Sequence, residues 1–205
     1  MKTPYTLPYA YDALEPYIDT RTVALHYQNH YLNYWNRLQD LLKQDPELKT
    51  VSYRSLAQHL DLVPLQFRDQ VAVALGGVLN HELYFSVLTP NGSKEPIGTL
   101  KEAILEQYGS FANFKEAFEK EAQTLVGSGY TFLVVNAQKK LQIITLSNQD
   151  TPYYYQMTPI LALDLWEHAY YLNYQSNRNQ YIKNFFQIVN FDVVEKNYEQ
   201  AFSQT

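Results

Sequence analysis

Between Pro90 and Gly98 the chain places two prolines and two glycines in one short stretch, and a long helical pattern of hydrophobic residues ends at Val87, just before it. A helix does not run through such a segment, because proline lacks the amide that the helical ladder needs and glycine loses the most backbone freedom on ordering. The chain is therefore expected to fold as two pieces, residues 1–90 and residues 91–205.

The first piece reads as helical. Residues 4–18 are rich in proline and tyrosine and are expected to form an extended, packed arm. From Thr20 onward Leu25, Tyr27, Tyr31, Tyr34, Trp35, Leu38 and Leu42 recur at helical spacing, which predicts one long amphipathic helix, capped by Thr20 or Thr22 and closed before Asp45-Pro46. A second run through Leu65, Ala72, Leu75, Leu79, Leu83 and Val87 stops at Thr89-Pro90, so the two helices form a hairpin. The second piece begins with shorter helical patterns at 100–108 and 111–125. The period then changes. Residues 130–136 and 141–146 are β-rich runs flanking Ala137-Gln138-Lys139-Lys140, which reads as a hairpin turn. Residues 160–166 form a third apolar run, and residues 181–202 return to a helical pattern. The expected class is α+β, with an all-helical first half and a second half built on a small antiparallel sheet. At 205 residues and 46% hydrophobic, the chain can bury a substantial core.

The chemistry-bearing residues are few. The chain has no cysteine, so a tight metal site must use imidazole and carboxylate ligands. One stretch, Leu163-Asp164-Leu165-Trp166-Glu167-His168-Ala169-Tyr170-Tyr171, combines an anionic oxygen with an imidazole, a mixture that suits iron, manganese or zinc. The other histidines are His26, His30, His59 and His81. His26 and His30 are four apart on one helical stripe, with Tyr34 a turn further on, and spacing alone would make both histidines ligands. A net charge of −5 without a basic cluster argues against a nucleic-acid partner. No apolar leader follows Met1-Lys2-Thr3, and the longest apolar run, 71–79, is too short to span a bilayer, so a soluble, cytoplasmic protein is expected.

Taken in order, the words Tyr9-Ala10-Tyr11-Asp12-Ala13-Leu14-Glu15-Pro16-Tyr17-Ile18-Asp19, His26-x3-His30-x3-Tyr34, Asn80-His81, Gly127-Ser128-Gly129, Asn148-Gln149-Asp150 and Asp164-x-Trp166-Glu167-His168-Ala169-Tyr170-Tyr171 cover the chain. The set resembles the iron/manganese superoxide dismutases. That resemblance implies a helical hairpin followed by an α/β domain with a three-stranded antiparallel sheet, and one metal ion between them. By motif position it implies His26, His81, Asp164 and His168 as ligands, with solvent as a fifth ligand and proton donor. It moves His30 out of the ligand set and places it with Tyr34 in the entrance funnel. It gives Gln149 a hydrogen bond to the bound solvent, and Trp166 the wall of the pocket. It further implies a homodimer in which Glu167 reaches the partner's His168 and Tyr171 reaches the partner's His30, with Arg178 as a cation near the site.

Manganese is the expected metal, with iron as the alternative. In the family the glutamine contacting bound solvent comes either from the second domain or from the position four before the second ligand histidine. Here that earlier position is Gly77, and Gln149 occupies the later one. The chain departs from the pattern at Glu82, Phe85, Tyr130 and Phe132, where the family usually shows a small residue or tryptophan; these swaps bear on redox tuning more than on ligation. His59 matches no functional position. Two other functions compete: a redox-silent relative that keeps the metal for structure, and a zinc hydrolase, for which only Glu82 offers a general base.

Overall fold

The computed structural model describes residues 2–203. The arm of residues 2–18 crosses the first helices as loops and turns and is tied down by tyrosines: the amide of Tyr5 donates to the Tyr31 hydroxyl (2.6 Å), while the Tyr27 hydroxyl donates to the carbonyl of Tyr5 (2.7 Å). The first long helix is composite. It runs as α1 (Thr20–Leu25), a π-helical turn (His26–Tyr31) and α2 (Leu32–Leu42). Its cap is Asp19 rather than either threonine, because the Asp19 carboxylate accepts both the amide and the hydroxyl of Thr22 at 2.8 Å, leaving Thr20 as the first helical residue.

A short helix α3 (Tyr53–Gln58) and two single turns lead into α4 (Arg68–Ser86), which packs antiparallel to α2 as the expected hairpin. α4 is buried along most of its length: Val71, Ala74, Leu75, Val78, Tyr84 and Phe85 are all in the core. The second half contributes α5 (Gly98–Tyr108), α6 (Phe111–Gln123), the strands β1 (Gly129–Val135), β2 (Leu141–Ser147) and β3 (Thr158–Asp164), then α7 (Tyr171–Tyr174), α8 (Arg178–Phe185) and α9 (Phe191–Ser203). The helical tail is thus broken at 187–190, where the chain runs back along the end of α4: Leu88 bridges Val189, and the amide of Asn190 donates to the carbonyl of Val87 (2.8 Å). That backbone stitching joins the two halves.

The sheet is three-stranded and antiparallel, in the order β2-β1-β3. β1 is central and buried on both faces, which is why its sequence, Tyr130 to Val135, is almost continuously apolar rather than alternating. α6 packs on β1 and β2, while α4 and α9 pack on β3. Phe114, Phe118, Phe185, Phe186 and Phe191 knit α6 to α8 and α9, with the rings of Phe118 and Phe185 stacked at 6.1 Å; each such ring stabilises the fold by about 1.5–3 kcal/mol through burial. In register, Tyr130 of β1 faces Asp164, the last residue of β3, so the strand pair delivers both side chains to one place beneath the helical hairpin. No helix among the described residues is long and apolar enough to cross a membrane.

Candidate metal centre

Four side chains from three parts of the chain meet at the junction of the halves. His26 opens the π-helical turn, His81 lies on α4, Asp164 ends β3 and His168 follows four residues later in a tight turn. One ligand atom from each lies within 4.8 Å of all the others. Asp164 Oδ2 is 3.1 Å from His26 Nε2 and 3.2 Å from His168 Nε2. His26, His81 and Asp164 are 2%, 0% and 0% exposed.

The orientation of each group is set from behind. His81 Nδ1 donates to the carbonyl of Gly77 at 2.6 Å, so its Nε2 presents a lone pair, and that buried atom has no protein partner. The other Asp164 oxygen, Oδ1, accepts the amide of Trp166 at 2.8 Å, which pins the carboxylate and leaves Oδ2 facing the histidines. The Tyr181 hydroxyl donates to the Asp164 carbonyl (2.9 Å) and touches Tyr84 (3.1 Å). A π-helical turn is rare and concentrates at functional sites; here it carries His26 into the centre while Tyr31 goes fully into the core.

The electrostatics favour a cation among these atoms. Burial, with the neighbouring His168, pushes His26 down to about 4, and burial together with His26 holds His81 well below its ordinary value. Burial pushes the Asp164 carboxyl up, but His168 and His26 outweigh it and hold the group well below the usual carboxylate range. Two neutral imidazoles, one more histidine and one carboxylate, oriented with lone pairs converging, form the donor set of a borderline divalent or trivalent metal.

Around this set the structure places each of the other residues singled out by sequence. His30 is not in the cluster; it stacks on His168 at 4.0 Å and is half-buried, so the four-residue spacing alone misassigned it. Tyr34 lies against the His81 ring at 5.4 Å, and its ring fills the space over Gly77, where a Cβ would meet it at 2.5 Å. Gln149 is 3% exposed, and neither terminal atom of its amide has a well-formed hydrogen bond to protein, although the group lies close enough to Tyr34 and Tyr130 to oppose the upward push that burial gives their phenols. The loop carrying Gln149 is held against α4 by Asn80, which donates to the carbonyls of Gln149 (3.3 Å) and Asp150 (3.0 Å), and by Gly76, where a Cβ would come within 2.0 Å of the Gln149 carbonyl oxygen. Trp166 stacks on His168 at 5.6 Å and donates to the carbonyl of Asn148 at 3.0 Å.

The residues that replace tryptophan line the same centre. Phe85 sets its edge against His26 at 4.9 Å, Tyr130 packs on His81 with its hydroxyl 3.4 Å from Nδ1, and Phe132 stacks behind Tyr130 at 5.8 Å. Glu82 neither faces open solvent nor enters the cluster; it accepts the Tyr31 hydroxyl at 2.8 Å, and burial raises its carboxyl against the opposing effects of that hydrogen bond and of Lys2. His59 is exposed at the end of α3. Arg178 donates to the carbonyls of Leu125 and Gly127, clasping the loop before β1. Sequence reasoning missed three residues here. An opening of about 270 Å³ leads to His30 and Tyr34 and is lined also by Asn29, Asn33 and Arg37; the spacing of Asn29, Asn33 and Arg37 along the first helix was the available signal.

Comparison with known proteins agrees with this geometry. Residues 4–89 match the sequence pattern of the iron/manganese superoxide dismutases' alpha-hairpin domain, and residues 96–197 match that of their C-terminal domain. The chain is 44% identical over 195 residues to a superoxide dismutase [Mn] of Listeria monocytogenes, covering 95% of this chain and 96% of that protein. It is 45% identical over 202 residues to a superoxide dismutase [Mn/Fe] of Methylomonas sp. (97% and 100%), and 42% identical over 204 residues to a superoxide dismutase [Mn] of Thermus aquaticus (98% and 100%).

Proposed function

The chain belongs to the iron/manganese superoxide dismutases, and from that membership we infer that it converts two superoxide anions and two protons to dioxygen and hydrogen peroxide at one metal ion held by His26, His81, Asp164 and His168. The observation that carries this is the convergence of those four ligand atoms within 4.8 Å in a buried, cysteine-free junction. Held there, the ion, manganese with iron as the alternative, would supply the one-electron couple that lets one superoxide be oxidised to dioxygen and another be reduced to peroxide.

The protein's part is to hold that ion and to manage protons. Three neutral imidazoles and one carboxylate leave a cation's positive charge largely uncancelled, which favours an anionic substrate. Tyr34 keeps its proton at neutral pH, since burial holds its phenol above the ordinary value, and it therefore acts as a donor. Gln149, whose buried amide has no well-formed hydrogen bond to protein yet lies close to Tyr34 and Tyr130, would orient a water in the centre. His30 and Tyr34 line the opening through which protons arrive from bulk solvent. Trp166 walls the pocket over His168 and limits water entry. Gly77 supports the manganese assignment, because a side chain there would collide with Tyr34, leaving the glutamine role to Gln149.

Two wider readings follow. The division near residue 90 is supported by the meeting of two family patterns between residues 89 and 96. A homodimer, with Glu167 on the partner's His168 and Tyr171 on the partner's His30, is supported by the exposure of Glu167, Tyr171 and Leu172 beside the centre. The ligand set is tested by His81→Ala and Asp164→Ala. Each is expected to reduce bound metal from one ion per chain to a trace, measured by elemental analysis, and to abolish superoxide removal; full metal and activity in either variant would overturn the assignment.

A further inference from the structure

The molecule carries a net charge of −5, yet its inferred substrate is an anion, and the opening that borders His30 and Tyr34 is the approach to the centre read above. That opening, about 270 Å³, is lined by Asn29, His30, Asn33, Tyr34 and Arg37, and Arg37 is its only formally charged residue at neutral pH. Arg37 is exposed, and among the described residues it makes no ion pair. It lies one helical turn after Tyr34, whose ring packs on His81 at 5.4 Å, so its charge sits on the stretch of helix that borders the centre. Arg178, the cation suggested by sequence, is held differently, with its guanidinium engaged by the carbonyls of Leu125 and Gly127. An uncancelled cation beside such an opening raises the local concentration of an anion and speeds its capture, an effect that fades as salt screens it over about 10 Å.

We propose that Arg37, with the amide-bearing Asn29 and Asn33 beside it, is the residue that gathers superoxide at the entrance and offsets the repulsion of the acidic molecule as a whole. This rests on the reading of the centre as a superoxide dismutase. The role is one of capture: Arg37 changes how often the anion arrives, and neither ligand geometry nor redox potential depends on it.

The test uses the full-length, metal-loaded protein and compares wild type with Arg37→Gln, Arg37→Lys and the remote control Lys101→Gln, an exposed residue on α5. Two quantities are followed against ionic strength: the second-order rate constant for superoxide, by stopped flow, and the affinity for azide, from the absorption change on binding. At low salt, Arg37→Gln is expected to slow superoxide capture by about threefold to tenfold, to weaken azide binding in the same direction and to flatten the salt dependence of both. Arg37→Lys should keep most of the rate, and Lys101→Gln should match wild type, with metal content and reduction potential unchanged throughout. The proposal is overturned if Arg37→Gln keeps the wild-type rate and salt slope, or if Lys101→Gln does the same damage, which would make the effect one of net charge alone. Absence of superoxide removal by wild type would instead overturn the dismutase reading, and the azide measurements would then decide for or against Arg37 as an anion-gathering residue.

Discussion

At the scale of single residues, the centre is held by groups whose protonation the fold has already arranged. Burial keeps His26 and His81 neutral at pH 7, while the histidines beside Asp164 keep it ionised, so the metal-free protein presents its ligands in the forms a cation takes up. This has a cost in acid. A histidine whose folded value lies below its unfolded value of about 6.5 takes up its proton more readily in the unfolded chain, so stability is complete above that value and is lost as pH falls toward the folded one. Asp164 adds to the loss at lower pH, since its folded value is also depressed. With His26 held down to about 4, its share amounts to roughly 3 kcal/mol between pH 7 and pH 4. The melting temperature of the metal-free protein is therefore expected to fall over that range, and a flat profile from pH 7 to pH 4.5 would contradict the protonation states assigned here. The ligand residues were legible as types, since five histidines and no cysteine leave little choice. Their roles were not legible from spacing, because His26 and His30 share a helical stripe; the order of motifs along the chain separated ligand from neighbour, and the packing of His30 on His168, outside the cluster, agrees.

At the scale of elements, the centre depends on how closely α4 lets its neighbours approach. Gly76 and Gly77 are adjacent on its buried length, and each makes room for one piece of the site: the Gln149 backbone over the first and the Tyr34 ring over the second. The contact at Gly76 is with backbone, which gives way less readily than a side chain. Gly76→Ala is therefore expected to destabilise the protein by about 2–3 kcal/mol, lowering the melting temperature by several degrees, and to reduce activity by displacing Gln149 while metal content is retained. Unchanged stability and activity in this variant would show that the loop is not held there. The elements themselves were largely readable, because the long helices repeat at helical spacing and β1 is a continuous apolar run with a turn after it. Local chemistry hid the rest. The π-helical turn at 26–31 leaves no mark in hydrophobic spacing, and the break in the tail at 187–190 is fixed by pairing with Leu88, a contact about a hundred residues away in sequence.

At the scale of the whole molecule, the two halves are useful only together, since His26 and His81 come from the hairpin and Asp164 and His168 from the sheet domain. The same reasoning extends to a second copy. Exposed Glu167 and Tyr171 adjoin His168, and a two-fold pairing through them would brace each centre from the other chain. Light scattering at micromolar concentration is expected to give twice the chain mass, and Glu167→Ala to shift the protein toward monomer with loss of activity; a stable, fully active monomer in the wild type would remove the dimer. The overall plan was legible because its motifs run in order along the chain, whereas the position of Arg37 at the opening beside His30 and Tyr34 emerged only when the helix was seen beside that opening. The most direct measurement of what the centre does is to strip the protein of metal, reload separate samples with manganese and with iron, and follow superoxide decay per bound ion. One ion per chain, with rapid decay and the higher activity in the manganese form, is the expected result; stoichiometric metal without superoxide removal in either form would show that the four ligands hold a structural ion and nothing more.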